Sequence, residues 1–154
     1  MSRLLDVVVL ISGRGSNLQS VIHQTQADAL PIRIRAVISN CADAYGLQRA
    51  RTAGIATRVL DHRRFDGRAP YDQALMQLID EYRPQLVVLA GFMRILGKTF
   101  VDHYPGRLIN IHPSLLPQFP GLDTHARAIA AGATCHGASL IALRRLGEVS
   151  PVIQ

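Results

Sequence analysis

The sequence lacks tryptophan, contains only two cysteines among 154 residues and has 5% aromatic residues. Cys41 and Cys135 lie far apart without metal-ligand spacing, which excludes a disulfide scaffold and a cysteine-bound metal and predicts free thiols in a reducing cytoplasm. No apolar run approaches the roughly eighteen residues of a membrane-spanning helix, so we expect no transmembrane segment. The apolar run Val7–Ile11 leads into a glycine-rich turn without a small-residue cleavage site. It therefore predicts a first core strand rather than a signal peptide.

Charged residues are also scarce, at 18% of the chain, but their balance is basic, with 17 Lys and Arg against 11 Asp and Glu. The basic residues are dispersed and are not interleaved with aromatic side chains, so a small anionic substrate is favoured over nucleic acid. The length fits one domain, and 48% hydrophobic residues are enough for a core. The sequence does not set the oligomeric state, and a homodimer is compatible with it.

The chain alternates short apolar runs with amphipathic segments. Strands are predicted over Val7–Ile11, Ile32–Ser39, Ala56–Leu60, Leu86–Leu89, Leu108–Ile111 and Ala138–Leu143. Helices are predicted over Leu18–Gln26, Tyr45–Ala53, Pro70–Tyr82, Thr99–Tyr104 and from Asp123 or Thr124 to Ala131. Such alternation predicts a Rossmann-like α/β domain, a mostly parallel sheet with helices on both faces.

The turn after the first strand, Ser12–Asn17, contains two glycines followed by a predicted helix. Gly13 and Gly15 let an anion approach the backbone, and the free N–H groups of a helix start attract negative charge. The dinucleotide fingerprint needs a third glycine where Leu18 stands, so a phosphate monoester is favoured over NAD. An ordinary tight turn is the alternative.

Asn110 and His112 interrupt the apolar strand at Leu108–Ile111, two residues apart, before Pro113 ends it. Side chains alternate along a strand, so we expect both polar groups on one side, at the sheet edge where open α/β sheets bind ligands. An amide and an imidazole suit addition to a carbonyl, because both can donate to the oxyanion and histidine can move a proton. The alternative is a structural strand end.

The segment Ala90–Leu96 follows the fourth predicted strand and is rich in large apolar residues around Arg94. A flat heteroaromatic ligand would find apolar surface there, although core packing explains the same residues. Glu148 is the candidate carboxylate beside His112, and from the residues alone it reads as an ordinary loop acid.

Taken together, these segments resemble the phosphoribosylglycinamide formyltransferases, the folate-dependent enzymes of purine biosynthesis. The matching segments are Ile11–Leu18, Ser39–Asn40, Ala42–Ala44, Val88–Leu96, Leu108–Pro117, Phe119–His125 and His136–Ser139. The resemblance implies formyl transfer from 10-formyltetrahydrofolate, as co-substrate, to the amine of glycinamide ribonucleotide.

The resemblance also implies a role for individual residues. Gly15, Ser16 and Asn17 would hold the ribonucleotide phosphate, while Asn110, His112 and an acid at Glu148 would be catalytic. The residues implied to contact the formyl-folate are Arg68, Met93, Arg94, Ile95, Leu96, Asn110, Arg144, Arg145, Leu146, Gly147 and Glu148.

Two features depart from the family pattern. The family's catalytic aspartate falls on Glu148, whose extra methylene shifts the carboxylate by ~1.5 Å, and Arg144 and Arg145 enter a segment expected to be a loop around the pterin. The family also continues beyond Gln154, so we expect 1–154 to be one domain that lacks the family's C-terminal part. Three functions follow: a formyltransferase, a catalytically impaired module that binds phosphate and folate, or a formyl-folate hydrolase.

Overall fold

A computed structural model describes residues 4–112, 139–145 and 148–153 as an α/β domain, with side chains described for 4–111. The strands are β1 Leu5–Ile11, β2 Ile32–Ser39, β3 Ala56–Val59, β4 Leu86–Ala90, β5 Leu108–His112, β6 Ser139–Arg145 and β7 Glu148–Ile153. The helices are α1 Ser16–Gln26, α2 Tyr45–Thr52, α3 Arg68–Asp80 and α4 Lys98–His103, with a short 3₁₀ helix at His62–Arg64.

These strands form one sheet in the order β3-β2-β1-β4-β5-β6-β7. The first five in that order are parallel, whereas β6 is antiparallel to β5 and β7 is antiparallel to β6. The predicted mostly parallel sheet is confirmed. The chain builds outward from β1 to β3 on one side and then crosses back to β4, so the strand order reverses between β1 and β4. In open α/β sheets, ligands bind at such a reversal, outside the carboxyl ends of the strands.

Helices cover both faces of the sheet, as the sequence predicted. In β1, Val8 and Leu10 face one core and Val7, Val9 and Ile11 face the other, because successive side chains point to opposite faces. The first core contains the buried apolar residues of α3 and α4, namely Tyr71, Leu75, Met76, Leu78, Ile79, Phe100 and Val101. The second contains those of α1 and α2, namely Leu18, Ile22, Leu47 and Ala50.

The last part of the predicted pattern needs correction. Residues 144–148 were expected to be a loop, but Arg144 and Arg145 end β6 and Glu148 begins β7. Pro151 is compatible with a strand here, because β7 is at the end of the strand order, where one edge needs no ladder partner. The predicted helix ending at Ala131 lies outside the described residues. Among the described helices, none is long and apolar enough to cross a membrane.

Candidate functional site

Three segments singled out from the sequence meet at the carboxyl edge of the parallel strands. The glycine turn begins at Ser12, directly after β1, and the Met93 segment follows β4. Asn110 and His112 are the third and last residues of β5. Since β1, β4 and β5 are neighbours, all three segments border the crevice at the reversal of strand order.

The glycine turn is packed tightly against α2. Gly15 has φ +74°, and a Cβ there would lie 2.7 Å from the Cα of Gly46. The Gly46 N–H donates to the Gly13 carbonyl oxygen at 3.0 Å. Ser16 and Asn17 are the first residues of α1, whose start has no side-chain cap among the described residues and no acidic residue in its first turn. A helix start of this kind presents unpaired N–H groups to an anion.

Arg49 is a cation beside this turn that sequence reasoning missed. Its Nε donates to the Arg14 carbonyl oxygen at 2.7 Å, and its guanidinium lies 4.9 Å from the Tyr45 ring centroid. The contact with Arg14 spans 35 residues and depends on α2 packing against the turn. The only sequence signal was a basic residue in a short helix, which is too common to single out a site.

The segment between β4 and α4, residues 91–97, is here called the Met93 loop. The structure separates its apolar residues into two groups. Leu96 is buried and Phe92 packs against the first core, whereas Met93 and Ile95 are 61% and 68% exposed. Core packing therefore accounts for only half of the cluster, and the other half offers apolar surface to a ligand.

Arg94 lies in the Met93 loop with its guanidinium 5.9 Å from the ring centroid of buried Tyr71. Its Nε is buried and has no hydrogen-bond partner among the described residues. Burial raises the pKa of the Tyr71 hydroxyl, which donates to the Leu60 carbonyl oxygen at 3.0 Å. A buried guanidinium N–H without a partner is a candidate donor to a bound polar group.

Asp72 holds the far end of the Met93 loop. Its Oδ2 accepts from the Gly97 N–H at 2.8 Å, and its Oδ1 is buried without a partner among the described residues. Burial raises the pKa of the Asp72 carboxyl, against the Gly97 hydrogen bond and the charges of Arg68 and Arg94, which lower it. Arg68, the first residue of α3, lines a cleft of about 490 Å³ together with Asp72, Gly97 and Lys98.

Asn110 is half-buried in the middle of β5, where it pairs with Leu89 of β4 and Ile141 of β6. The backbone of His112 pairs with Ser139, and its side chain lies outside the described part of the chain. No cluster of His, Cys, Asp and Glu within the described residues could hold a metal ion.

The structure does not bring Glu148 to this edge. β6 runs antiparallel to β5 from Ser139 opposite His112, and Arg145 at its other end pairs with Glu148. Six residues of strand correspond to about 20 Å, so the backbone of Glu148 lies toward the amino-terminal end of β5. Leu146 and Gly147 lie outside the described residues, and a catalytic role for Glu148 stays a prediction from the sequence.

Comparison with known proteins gives a consistent result. A family model described as formyl transferase matches residues 5–145. The chain is 56% identical over 136 residues to phosphoribosylglycinamide formyltransferase of Escherichia coli K12, a match that covers 88% of the chain and 64% of that protein. It is 45% identical over 134 residues to the human trifunctional purine biosynthetic protein adenosine-3, covering 87% of the chain and 13% of that protein.

Solved structures of phosphoribosylglycinamide formyltransferases share this fold. The Coxiella burnetii structure superposes with a TM-score of 0.86 at 54% identity, covering 98% of the chain and 71% of that protein's chain. The Brucella melitensis structure gives 0.88 at 41% identity, covering 99% and 78% respectively.

Proposed function

The chain belongs to the phosphoribosylglycinamide formyltransferase family, and on that premise we propose that it transfers a formyl group from 10-formyltetrahydrofolate to the amine of glycinamide ribonucleotide. The observation that supports this most is the meeting of the glycine turn, the Met93 loop and Asn110 at neighbouring strand ends. The glycine turn suits a phosphate, the Met93 loop suits an apolar ring, and Asn110 suits a developing oxyanion.

The ribonucleotide phosphate is proposed to bind at Gly15, Ser16 and Asn17. The uncapped start of α1 and the nearby guanidinium of Arg49 supply N–H donors and positive charge. The phosphate is remote from the reacting amine, so its binding energy serves to orient that amine.

The formyl-folate is proposed to occupy the crevice beside the Met93 loop. The exposed side chains of Met93 and Ile95 give the ring apolar contact, and Arg94 has a buried N–H to donate. Leu96 supports the loop from the core, and Arg68 lies on the cleft next to the loop's end. The structure supports ring binding by Met93 and Ile95 more directly than by Leu96.

In the proposed reaction the amine attacks the formyl carbon and forms a tetrahedral oxyanion. The Asn110 amide donates a hydrogen bond to that oxygen, and His112 stabilises it and moves a proton from the attacking amine toward the leaving folate nitrogen. Both residues belong to β5, which is paired on both sides, so their backbone positions are firmly held. Arg144, Arg145, Leu146, Gly147 and Glu148 are kept as folate contacts on the strength of the family resemblance alone.

The protein's partners in this proposal are its two small-molecule substrates. A free Cys41 thiol fits a cytoplasmic location. The chain spans 64% of the length of the Escherichia coli relative it matches, so the activity has to be measured on this protein itself.

One assay separates this function from its competitors. The protein is incubated with formyl-folate, with and without glycinamide ribonucleotide, while folate absorbance is followed. We expect turnover only when the ribonucleotide is present. Loss of the formyl group without the amine would instead identify a hydrolase, and absence of turnover with retained ribonucleotide binding would identify a binding module.

A further inference from the structure

Ser12 links the end of β1 to the Met93 loop. Its Oγ accepts a hydrogen bond from the Met93 backbone N–H at 2.7 Å, between residues 81 positions apart. The same hydroxyl donates to Oδ1 of Asn40 at 2.5 Å. Asn40, directly after β2, is only 3% exposed. One half-buried hydroxyl therefore joins the ends of three neighbouring strands, β2, β1 and β4.

The direction of these hydrogen bonds is determined by the Met93 N–H, which can only donate. Ser12 must accept from it, so its own proton is free for the Asn40 oxygen. The Asn40 amide nitrogen then faces Nδ1 of His62 at 3.2 Å, and that ring nitrogen accepts. In each of these three hydrogen bonds, a donor therefore faces an acceptor.

The series ends on a well-held residue. His62 begins the 3₁₀ helix, which Asp61 caps by accepting from the Arg63 N–H at 2.9 Å. The Arg63 guanidinium also binds the Asp61 carboxylate and lowers its pKa. His62 lies edge-on to the Tyr71 ring, with 6.3 Å between centroids. The Ser12 hydroxyl is thus oriented through Asn40 by residues that lie outside the loop it holds.

On either side of Met93 the loop is held by core packing, since Phe92 packs against the first core and Leu96 is buried. Met93 itself is 61% exposed, so its side chain does little to hold the backbone. Among the described residues, side chains bind two backbone N–H groups of this loop, that of Met93, bound by Ser12, and that of Gly97, bound by Asp72. Arg94, Ile95 and Leu96 lie between these two attachments.

We propose that Ser12 is a positioning residue for the formyl-folate pocket, an inference that rests on the proposed function. Its hydroxyl does not touch the reacting atoms. It fixes the Met93 backbone and so sets the loop residues that contact the ring.

The test is the series Ser12→Ala, Ser12→Thr and the control Ser20→Ala, assayed for the Michaelis constant of each substrate. Ser20 is an exposed serine of α1 whose hydroxyl bonds only its own helix, to the Ser16 carbonyl oxygen at 3.3 Å. We expect Ser12→Ala to raise KM for formyl-folate about three- to tenfold, the effect of one lost hydrogen bond, with KM for the ribonucleotide nearly unchanged. Ser12→Thr keeps a hydroxyl and should restore the value, and Ser20→Ala should match the unaltered protein.

A second measurement needs no variant. Amide hydrogen exchange of the unaltered protein should show the Met93 N–H protected although the residue is exposed, and Ser12→Ala should remove that protection. Equal changes in both Michaelis constants, no change in either, or an unprotected Met93 amide would overturn the proposal. If the unaltered protein neither binds formyl-folate nor transfers the formyl group, the proposed function fails, and so does a pocket role for Ser12. The exchange measurement still tests the hydrogen bond between Ser12 and the Met93 N–H in that case.

Discussion

The proposed binding and catalytic roles belong to different residues of this site. Asn17 lies at the start of α1 after the glycine turn, whereas His112 ends β5 on the far side of β4. The two positions are held by different elements and share no described contact. A change at one should therefore leave the task of the other largely intact.

We expect His112→Ala to lower the transfer rate by roughly 10²–10⁴-fold, the usual contribution of a general acid–base group, while ribonucleotide affinity stays within about twofold. Asn17→Ala should do the opposite and weaken ribonucleotide binding about tenfold or more, because a hydrogen bond to a charged phosphate is lost. Calorimetric binding and single-turnover rates measure the two effects. A histidine variant that keeps its rate would refute the assignment.

Asp72 is a buried carboxyl whose pKa is raised by burial, and this has a consequence for stability. The folded state keeps the proton to higher pH than the unfolded state, whose carboxyl titrates near ~3.9. The contribution of Asp72 to the free energy of unfolding is therefore largest below that pH. It is lost as the pH rises through the pKa of Asp72 in the folded state. Asp72→Asn keeps an oxygen for the Gly97 N–H and removes the titration.

Urea unfolding of both proteins between pH 4 and 7 tests this expectation. The free energy of unfolding of Asp72→Asn minus that of the unaltered protein should increase as the pH rises, because only the unaltered protein loses stability from this group. A difference that is constant over this range would mean that Asp72 is not held in its protonated form by burial.

At the scale of elements, the glycine turn and α2 form one packed unit. Gly15 adopts a backbone conformation that residues with a side chain rarely take, and Gly46 lies against it. Gly46 is itself crowded, since a Cβ there would lie 2.5 Å from Cδ1 of Ile11. The position of the α1 start thus depends on a glycine in the next helix.

Gly15→Ala should destabilise the protein by roughly 1–2 kcal/mol from backbone strain, with a further cost from its contact with Gly46. Ribonucleotide affinity should fall with it, since the α1 start must move. Gly13→Ala is the matched control for stability, because a Cβ there meets no atom of the described residues within 4 Å and φ is not in the left-handed region. Thermal unfolding measures both variants, and equal melting temperatures would contradict the packing argument.

Most elements were predictable from local pattern. Continuous apolar runs predicted β1 and β4, because strands buried on both faces need apolar residues at every position. The partly apolar runs bounded by turns at Ile32–Ser39 and Leu108–Ile111 predicted β2 and β5. The predicted strand Ala138–Leu143 covers most of β6, but its last two residues and the whole of β7 were not predicted. Arg144, Arg145, Ser150 and Pro151 have no strand pattern in the sequence, and in the structure they belong to the strands β6 and β7, whose backbones pair with each other.

At the scale of the whole molecule, one sheet lies between two cores and contributes side chains to both of them. Leu10 of β1 is fully buried in the first core, and β1 pairs with β2 and β4. A cavity in this strand therefore affects the packing that joins all the parallel strands. Leu30, in contrast, is 38% exposed at the amino-terminal edge just before β2.

Leu10→Ala should lower the free energy of unfolding by about 2–5 kcal/mol, the range for a leucine removed from a packed core. Leu30→Ala should change it by no more than about 0.5 kcal/mol. Denaturant titration followed by far-UV circular dichroism measures both. A small effect of Leu10→Ala would mean that the two cores do not unfold together.

Local sequence was enough to predict the α/β architecture, the glycine turn after β1 and the placement of Asn110 and His112 on one strand. Each of these follows from residues within a few positions of one another, where backbone geometry and apolar periodicity apply directly. The roles of Ser12, Gly46 and Arg49, and the split of the Met93 loop into buried and exposed halves, required the folded chain. They depend on contacts between residues 28 to 81 positions apart, and such contacts exist only after the parallel strands have aligned their carboxyl ends.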